Sequence, residues 1–146
     1  MLDTIVTIMK LTRFTDFGLR ALMRIASAPN RVHSTAEISR EFDISRNHLT
    51  KIMAMLAAAG YLETRRGTGG GAVLAKAPDQ IRLGDIIRVL ERGTPIVECF
   101  APGGGLCLIT PQCRLKGMLA EAESDFIDNM NRYTLADCAL SPEEAA

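Results

Sequence analysis

The residues of this 146-residue chain best suited to chemistry are three neighbouring cysteines. Cys99, Cys107 and Cys113 are separated by seven and five residues, and Gly103-Gly104-Gly105 lies between the first two. Thiolates bind thiophilic metals, and a flexible glycine-rich segment lets several of them converge on an iron–sulfur cluster. We therefore predict that residues 93–113 form a cysteine-rich, cluster-binding loop.

Other uses of these cysteines stay open at this point. A structural zinc site usually has short C-x₂₋₄-C hooks in sets of four ligands. The gaps here are longer and only three cysteines are close together, so the spacing favours a cluster over zinc. The three thiols could instead sense oxidation without a metal, or simply be buried. Cys138 is distant from the others, and we interpret it as a packing residue.

The spacing does not identify a fourth ligand. Both histidines, His33 and His48, lie in the N-terminal part of the chain. An oxygen ligand would leave the cluster labile and reactive, which suits a sensor. The carboxylates considered are Asp16, Asp85, Glu91, Glu98 and Glu123. Cys113 is expected in the first turn of the last helix, where the positive end of the helix favours the thiolate.

The N-terminal part has the pattern of a helix-turn-helix. A first helix is predicted over residues 13–28, and Ser34 with Glu37 reads as a capping box that opens a short helix ending at Phe42. Asp43-Ile44 is the predicted turn, after which Ser45 caps a longer helix over residues 46–59. Three helices in this order, with a tight turn before the third, are typical of DNA-binding proteins.

The third helix and the residues after it carry the predicted DNA contacts. Leu49, Ile52, Met53 and Leu56 form its apolar stripe, and small or hydrogen-bonding side chains occupy the other side. The alternative is a solvent-facing helix of an ordinary bundle. Strands over 61–66 and 72–75, joined by a glycine turn, predict a wing whose arginines reach phosphates or a minor groove. The candidate DNA-binding residues are Arg46, Asn47, His48, Thr50, Lys51, Arg65 and Arg66.

The C-terminal part predicts one long helix. A short helix is expected from Leu83 to near Gly93, and Thr110-Pro111 is a helix start signal with Thr as N-cap and Pro at the first position. The helix should continue to about Arg132. It carries a heptad seam made of Leu115, Leu119, Ala122, Phe126, Asn129 and Tyr133. A second copy of the chain could bury this seam in a symmetric dimer, as could the chain's own first helix.

The predicted fold is therefore mostly α. It comprises a winged helix-turn-helix DNA-binding domain (residues 10–92), the cysteine-rich loop (93–113), and a dimerisation helix with its tail (111–140). A hydrophobic content of 47% with only 5% aromatic residues favours helices.

Charge and composition agree with a nucleic-acid partner. Residues 1–92 carry a net charge of +5 and residues 93–146 carry −5, although the whole chain is neutral. Met1–Lys10 lacks the features of a secretory signal, Met9 is an alternative start, and no apolar run reaches the ~18 residues of a membrane span. We therefore expect a cytoplasmic protein. No second cysteine set or catalytic His/Ser/Asp group supports an enzyme or electron carrier, and the glycines at 67–71 lack the P-loop context.

Five motifs then resemble one family. They are LTRFTDFGLRAL (residues 11–22), SRNHLTKI (45–52), RGTGGG (66–71), CLITPQCRLK (107–116) and YTLAD (133–137). Together they resemble the nitric-oxide-sensitive transcriptional repressors of the Rrf2 class, which are winged-helix iron–sulfur regulators. The resemblance covers about residues 10–140.

The resemblance implies a homodimer that binds palindromic operator DNA and releases it when nitric oxide attacks the cluster. It implies a 4Fe–4S cluster, with 2Fe–2S as the alternative, on Cys99, Cys107 and Cys113, and a fourth ligand, Asp16, from the other subunit. From the residues alone, Asp16 is a first-turn carboxylate paired with Arg20. Relatives that regulate iron–sulfur assembly place a histidine where Lys116 stands, which argues against their Cys₃His site. An iron-responsive or iron–sulfur-status transcriptional regulator of the same class is the alternative function.

Overall fold

The structure, a computed structural model, describes residues 10–141. The expectations about a signal sequence and the start residue fall on Met1–Met9 and lie outside the described residues. The helices are α1 (Arg13–Ala26), α2 (Thr35–Phe42), α3 (Arg46–Ala58), α4 (Leu83–Leu90), α5 (Arg114–Met130) and α6 (Leu135–Cys138), and the strands are β1 (Leu62–Arg65) and β2 (Gly71–Leu74). Short 3₁₀ turns cover Pro78–Gln80, Glu98–Phe100 and Thr110–Gln112. The mostly α fold and the winged helix-turn-helix order are confirmed.

Caps define the helix-turn-helix. The Thr12 hydroxyl accepts a hydrogen bond from Thr15 N at the start of α1, and Ser45 does the same for His48 N at the start of α3. Ser34 caps α2 by accepting from Glu37 N. The other half of the predicted capping box is wrong. The Glu37 carboxylate accepts a hydrogen bond from Arg31 instead of one from the backbone N–H of Ser34. Asp43 takes a left-handed conformation, φ 52°, and makes the turn.

The hydrophobic core is formed by the helix-turn-helix, the two strands, α4 and α6. The predicted stripe of α3 is fully or almost fully buried, which confirms that prediction. The core cluster comprises Ala21, Leu22, Ile25, Ala26, Ile38, Ile44, Leu49, Ile52, Met53, Leu56, Leu62, Ala72, Ile81, Leu83, Ile86, Leu90 and Leu135. None of these lies between Leu90 and Leu135, so within the described chain the cysteine segment and most of α5 stand outside the core.

The start of the last helix differs from the prediction. Helix α5 begins at Arg114, and the Thr110-Pro111 signal instead opens a 3₁₀ turn that Gln112 N closes by donating to Ile109 O at 3.1 Å. Proline suits this turn as well as a helix start, because its missing N–H is not needed in either. Cys113 is therefore the residue before the helix, not a member of its first turn, and its side chain makes no capping hydrogen bond.

Helix α5 is attached to the rest of the fold at one end. At its C-terminal end, Ile127 is buried, and the chain after it pairs with the segment before α4 through Leu83 N to Tyr133 O and Leu135 N to Ile81 O. Towards its N-terminal end, Leu115 is 57% exposed and Met118 62% exposed. The predicted seam is thus largely uncovered in a single copy. Along residues 10–141, no helix combines the length and apolarity that crossing a bilayer requires.

Candidate nucleic-acid interface and cysteine segment

The outer side of α3 presents the predicted contact residues. Arg46, Asn47, Thr50 and Lys51 are all exposed. The Thr50 hydroxyl donates to Arg46 O at 2.8 Å, so its oxygen faces outward only as an acceptor. Arginine and lysine offer donors for phosphates or guanine, and asparagine can pair with adenine in the major groove. This side of α3 therefore has the chemistry of a base-reading surface.

His48 is placed differently from its neighbours on α3. Its ring is half-buried, with ring centroids 5.6 Å from both Phe14 and Phe17 of α1. These contacts make His48 a packing residue at the junction of α1 and α3. Any contact it makes with DNA must come from the edge of the ring that the two phenylalanines leave open.

The wing is a two-stranded antiparallel ribbon in which Leu62 pairs with Leu74 and Arg65 with Gly71. Arg65 and Arg66 are exposed at its tip, as the sequence predicts. The turn is too tight for a side chain at Gly70, because a Cβ there would clash with Arg65 O and lie 2.7 Å from Gly67 O. The ribbon therefore carries both arginines on a short, tightly turned tip.

The wing is joined to the helices through His33, for which the sequence predicts no function. His33 is fully buried, and its backbone pairs with Ala72 through hydrogen bonds of 2.8 and 2.9 Å. Its Nε2 lies 3.1 Å from Ala28 O, and its Nδ1 lies 3.2 Å from an Arg31 guanidinium nitrogen. Both ring nitrogens of His33 therefore have hydrogen-bonding partners within the fold. No periodic pattern in the sequence marks this histidine.

The cysteine segment links α4 to α5. Cys99 lies in the 3₁₀ turn Glu98–Phe100 and is half-buried, Cys107 is exposed, and Cys113 is half-buried. Gly103, Gly104 and Gly105 follow one another in left-handed conformations, with φ of 87°, 77° and 63°. Only glycine adopts such a run without strain, so these three residues turn the chain between the first two cysteines.

Glu98 stabilises this glycine turn. Its Oε1 accepts from Leu106 N at 2.8 Å, and a Cβ on Gly105 would lie 2.5 Å from Glu98 Cγ. Beyond the turn the segment is open, with Leu106 89% and Leu108 94% exposed. One end of the segment is therefore ordered by its own hydrogen bonds, and the other faces outward.

The donor chemistry of the segment fits an iron–sulfur cluster, because three thiols stand on one glycine-containing stretch. Within residues 10–141, however, no three His, Cys, Asp or Glu side chains come close enough to hold one metal ion. Cys99 lines an open cleft of about 1230 Å³ between α4, α5 and the start of α1. The cations Lys10, Arg88, Arg92 and Lys116 also line it, together with the carboxylates Glu91 and Glu123.

Asp16 is occupied within its own chain. It lies in the first turn of α1 and forms a salt bridge of 2.8 Å with Arg20, and both side chains are about half exposed. This is the pairing expected from the residues alone. To act as a ligand of a cluster on another subunit, the Asp16 carboxylate would have to break its salt bridge with Arg20 and bind the metal.

The other carboxylates considered as ligands also have partners or positions of their own. Asp85 hydrogen-bonds Asn131, Glu91 accepts from Thr12, and Glu123 lines the cleft on α5. Cys138 packs against the core, as predicted, and burial first and the Asp137 charge second raise the pKa of its thiol.

In sequence, the chain is similar to known transcriptional regulators. The sequence profile of the Rrf2 family, described as an iron-dependent transcriptional regulator, matches residues 11–140. The chain is 39% identical over 137 residues to the HTH-type transcriptional regulator NsrR of Bacillus subtilis strain 168, covering 93% of this chain and 94% of that protein.

Two solved structures share the fold. CymR (YrzC), the global cysteine regulator of B. subtilis, superposes with a TM-score of 0.67 at 27% identity, over 90% of this chain and 97% of that chain. IscR of T. potens superposes with a TM-score of 0.67 at 23% identity, over 90% and 86% of the two chains, and this likeness concerns the fold alone.

Proposed function

Because this chain belongs to the Rrf2 family of transcriptional regulators, we propose that it is a DNA-binding repressor that senses nitric oxide through an iron–sulfur cluster. The chain is a transcriptional regulator and not an enzyme. The observation that carries the proposal is the cysteine segment itself: three thiols between α4 and α5, in a chain 39% identical to NsrR of B. subtilis.

Operator recognition is assigned to α3 and the wing. Asn47 and Lys51 face outward from α3 and would read base edges, while Arg46 at its start would hold a phosphate. Arg65 and Arg66 would contact the backbone or the minor groove beside the same half-site. His48 contributes by holding α3 against α1.

A homodimer is proposed because α5 leaves an apolar side uncovered. Leu115, Met118, Phe126 and Tyr133 are exposed large hydrophobic residues on or beside this helix. A second copy packed on the same side would be related by a two-fold axis, which suits a palindromic operator. The two α3 helices would then have to lie about 34 Å apart to enter successive major grooves.

Cys99, Cys107 and Cys113 are the residues proposed to hold the cluster, with Asp16 of the second copy as the fourth ligand. When bound, the cluster supplies iron that reacts with nitric oxide; the 4Fe–4S form is proposed and 2Fe–2S is the alternative. The glycines at 103–105 allow the segment to close so that the thiols converge. Lys116 and Arg92 line the same cleft as Cys99.

Anaerobic purification followed by iron and sulfide analysis and an operator-shift assay tests this proposal. The loaded protein should be brown and bind the operator, and nitric oxide should abolish both the absorbance and the shift. Operator binding that persists after complete loss of the cluster would refute the proposed switch. A colourless, iron-free protein that still recognises DNA would instead indicate thiol sensing.

An iron-responsive regulator is the second candidate, and the description of the family profile as iron-dependent favours it. In that case the protein should lose its operator when iron is chelated under strictly anaerobic conditions without nitric oxide. A nitric oxide sensor that is stable to chelators on the same time scale would keep its operator. The two treatments applied in parallel distinguish the candidates.

A further inference from the structure

Glu91 and Thr12 link the end of α4, where the cysteine segment begins, to the start of α1. One carboxylate oxygen, Glu91 Oε1, accepts from both Thr12 N at 2.8 Å and the Thr12 hydroxyl at 2.9 Å. The two residues are 79 positions apart in the chain. A single side chain thus satisfies two donors at the beginning of α1.

Each partner occupies the end of a helix. Glu91 follows Leu90, the last residue of α4, and Thr94 N donates to Glu91 O at 2.9 Å, so Glu91 also begins the segment that leads to Cys99. Thr12 is the N-cap of α1 and accepts from Thr15 N. A carboxylate beside this helix start is favoured by the helix dipole.

The same junction continues to α3 through close packing. A Cβ added to Gly18 of α1 would lie 2.6 Å from Leu90 Cδ1 and 3.3 Å from Ile52 Cγ2 of α3. Leu90 and Ile52 are both buried in the core cluster. Because closely packed interiors transmit strain, a shift of α1 against the end of α4 would press on Ile52 of α3.

We propose that Glu91 is a positioning residue that couples the cysteine segment to α1 and, through the Gly18 contact, to the DNA-reading helix α3. When the segment rearranges, Glu91 moves with it, and the two donors of Thr12 lose their acceptor. Helix α1 then loses the bond that fixes its start against α4. This inference rests on the proposed function for the nitric oxide signal, but the Glu91–Thr12 hydrogen bonds do not depend on that proposal.

The test compares operator affinity with and without the cluster in matched variants. The measured quantity is the coupling ratio, which is the operator affinity of the cluster-loaded protein divided by that of the cluster-free protein. Couplings between sites are typically about 5–150-fold in affinity, and we expect the wild-type ratio in that range. Glu91→Ala should keep the iron content and absorbance and bring the ratio close to one. Glu91→Gln keeps an oxygen acceptor and should retain most of the ratio. Glu121→Ala, an exposed change on α5, is the control.

A second variant breaks the link from the other side. Thr12→Asp keeps an N-cap for α1, since aspartate caps helices well, but places a like charge against Glu91. It should reduce the ratio as Glu91→Ala does. A Glu91→Ala protein with full iron and an unchanged ratio would overturn the proposal. So would a Glu91→Ala protein whose cluster-loaded and cluster-free forms lose operator affinity equally, because a merely structural role explains that result.

Hydrogen exchange on the cluster-loaded protein without DNA, the state in which the Glu91–Thr12 bond is proposed to hold, separates this inference from the proposed function. Glu91→Ala should speed exchange both in the first turn of α1 and in residues 92–99, whereas Glu91→Gln should resemble the wild type. Unchanged exchange in α1 would refute the coupling even if the wild type responds to nitric oxide. A wild type whose DNA binding ignores the cluster would refute the proposed function, while this measurement would still decide the bond.

Discussion

Asn131 and Asp85 join α5 to α4 through two hydrogen bonds: Asp85 N donates to Asn131 Oδ1 at 2.9 Å, and Asn131 Nδ2 donates to Asp85 Oδ1 at 3.0 Å. Arg82 adds a third bond to the Asn131 carbonyl at 3.1 Å. All three act at the C-terminal end of α5. The opposite end, which follows Cys113, carries exposed side chains, so the position of α5 is set at the end away from the cysteines.

Asn131→Ala should lower the free energy of unfolding by about 1–3 kcal/mol, because it leaves the backbone amide of Asp85 without its acceptor and removes one donor from the Asp85 carboxylate. Chemical denaturation at a fixed protein concentration measures the change. Asn30→Ala, an exposed asparagine in the turn after α1, should stay within about 0.5 kcal/mol of the wild type. Equal losses in the two variants would mean that the α4–α5 joint adds nothing to stability.

Two helical glycines should respond oppositely to alanine. A Cβ at Gly84 would clash with Ile127 O and lie 2.5 Å from Asn131 Oδ1, whereas Gly117 has open space around it. Gly84→Ala should therefore cost about 1–3 kcal/mol through overpacking. Gly117→Ala should gain up to about 1 kcal/mol from helix propensity. Urea midpoints of the two variants provide the comparison, and a Gly84→Ala protein as stable as the wild type would show that α4 and α5 pack less closely.

The cysteines should differ in their effect on iron retention. Cys107→Ala and Cys113→Ala should each abolish the visible absorbance and the bound iron after anaerobic purification, since each would remove one of three thiolate ligands. Cys138→Ala is the matched control because Cys138 packs on the core, and it should keep full iron. Iron loss in the Cys138 variant alone would reverse the assignment.

Arg66→Ala should weaken operator binding while leaving the absorbance intact, because the side chain is exposed at the tip of the wing. Loss of one phosphate contact should also reduce the slope of log affinity against log salt by about one. Fluorescence anisotropy at several salt concentrations gives both quantities. Arg132→Ala, which removes an exposed cation beyond the end of α5, should leave them unchanged. Normal binding by the Arg66 variant would show that the wing does not reach DNA.

The Arg31–Glu37 pair should stabilise the fold above acidic pH. The hydrogen bond from Arg31 holds the pKa of the Glu37 carboxyl below its ordinary value of 4.5, although burial opposes this. A lowered pKa in the folded state means that the contribution is complete above the unfolded value and is lost as the pH falls through the folded one.

The difference in unfolding free energy between wild type and Glu37→Gln should therefore be constant above about pH 5 and vanish in stronger acid. Because the pair is partly exposed, its size should be about 1 kcal/mol or less. Glu63→Gln removes the same charge from the wing, away from Arg31, as a control. A difference that grows as the pH falls would contradict the assignment.

Local patterns predicted those parts of the molecule that local forces build. The stripe from Leu49 to Leu56 predicted the buried side of α3, and the caps at Ser34 and Ser45 predicted where α2 and α3 begin, because such signals act within one or two turns. The Thr110-Pro111 signal misplaced the start of α5, since it serves a 3₁₀ turn equally well. The capping box failed at Glu37 because Arg31 competes for its carboxylate.

Contacts between distant parts of the chain were beyond sequence reasoning. The Thr12–Glu91 bond joins residues 79 positions apart, and the Asp85–Asn131 bond joins residues 46 positions apart. No periodicity in the sequence predicts either bond. The buried ring of His33 is likewise defined by Ala28 and Arg31 only after the chain has folded. For the cysteines, spacing predicted the segment and its chemistry, while convergence of the three thiols remains a proposal.

The core cluster takes its side chains from α1–α4, the wing and the region of α6, and none from the stretch between Leu90 and Leu135. The stretch is joined to the rest of the fold near its two ends, at Glu91 and at residues 127–133, so folding of the DNA reader does not depend on the cysteine segment between them. Natural selection can lengthen it, move its cysteines or replace its chemistry, and the reader will still form. A protein built in this way can acquire a new stimulus by changing an accessory stretch, without redesigning its apparatus for finding a promoter.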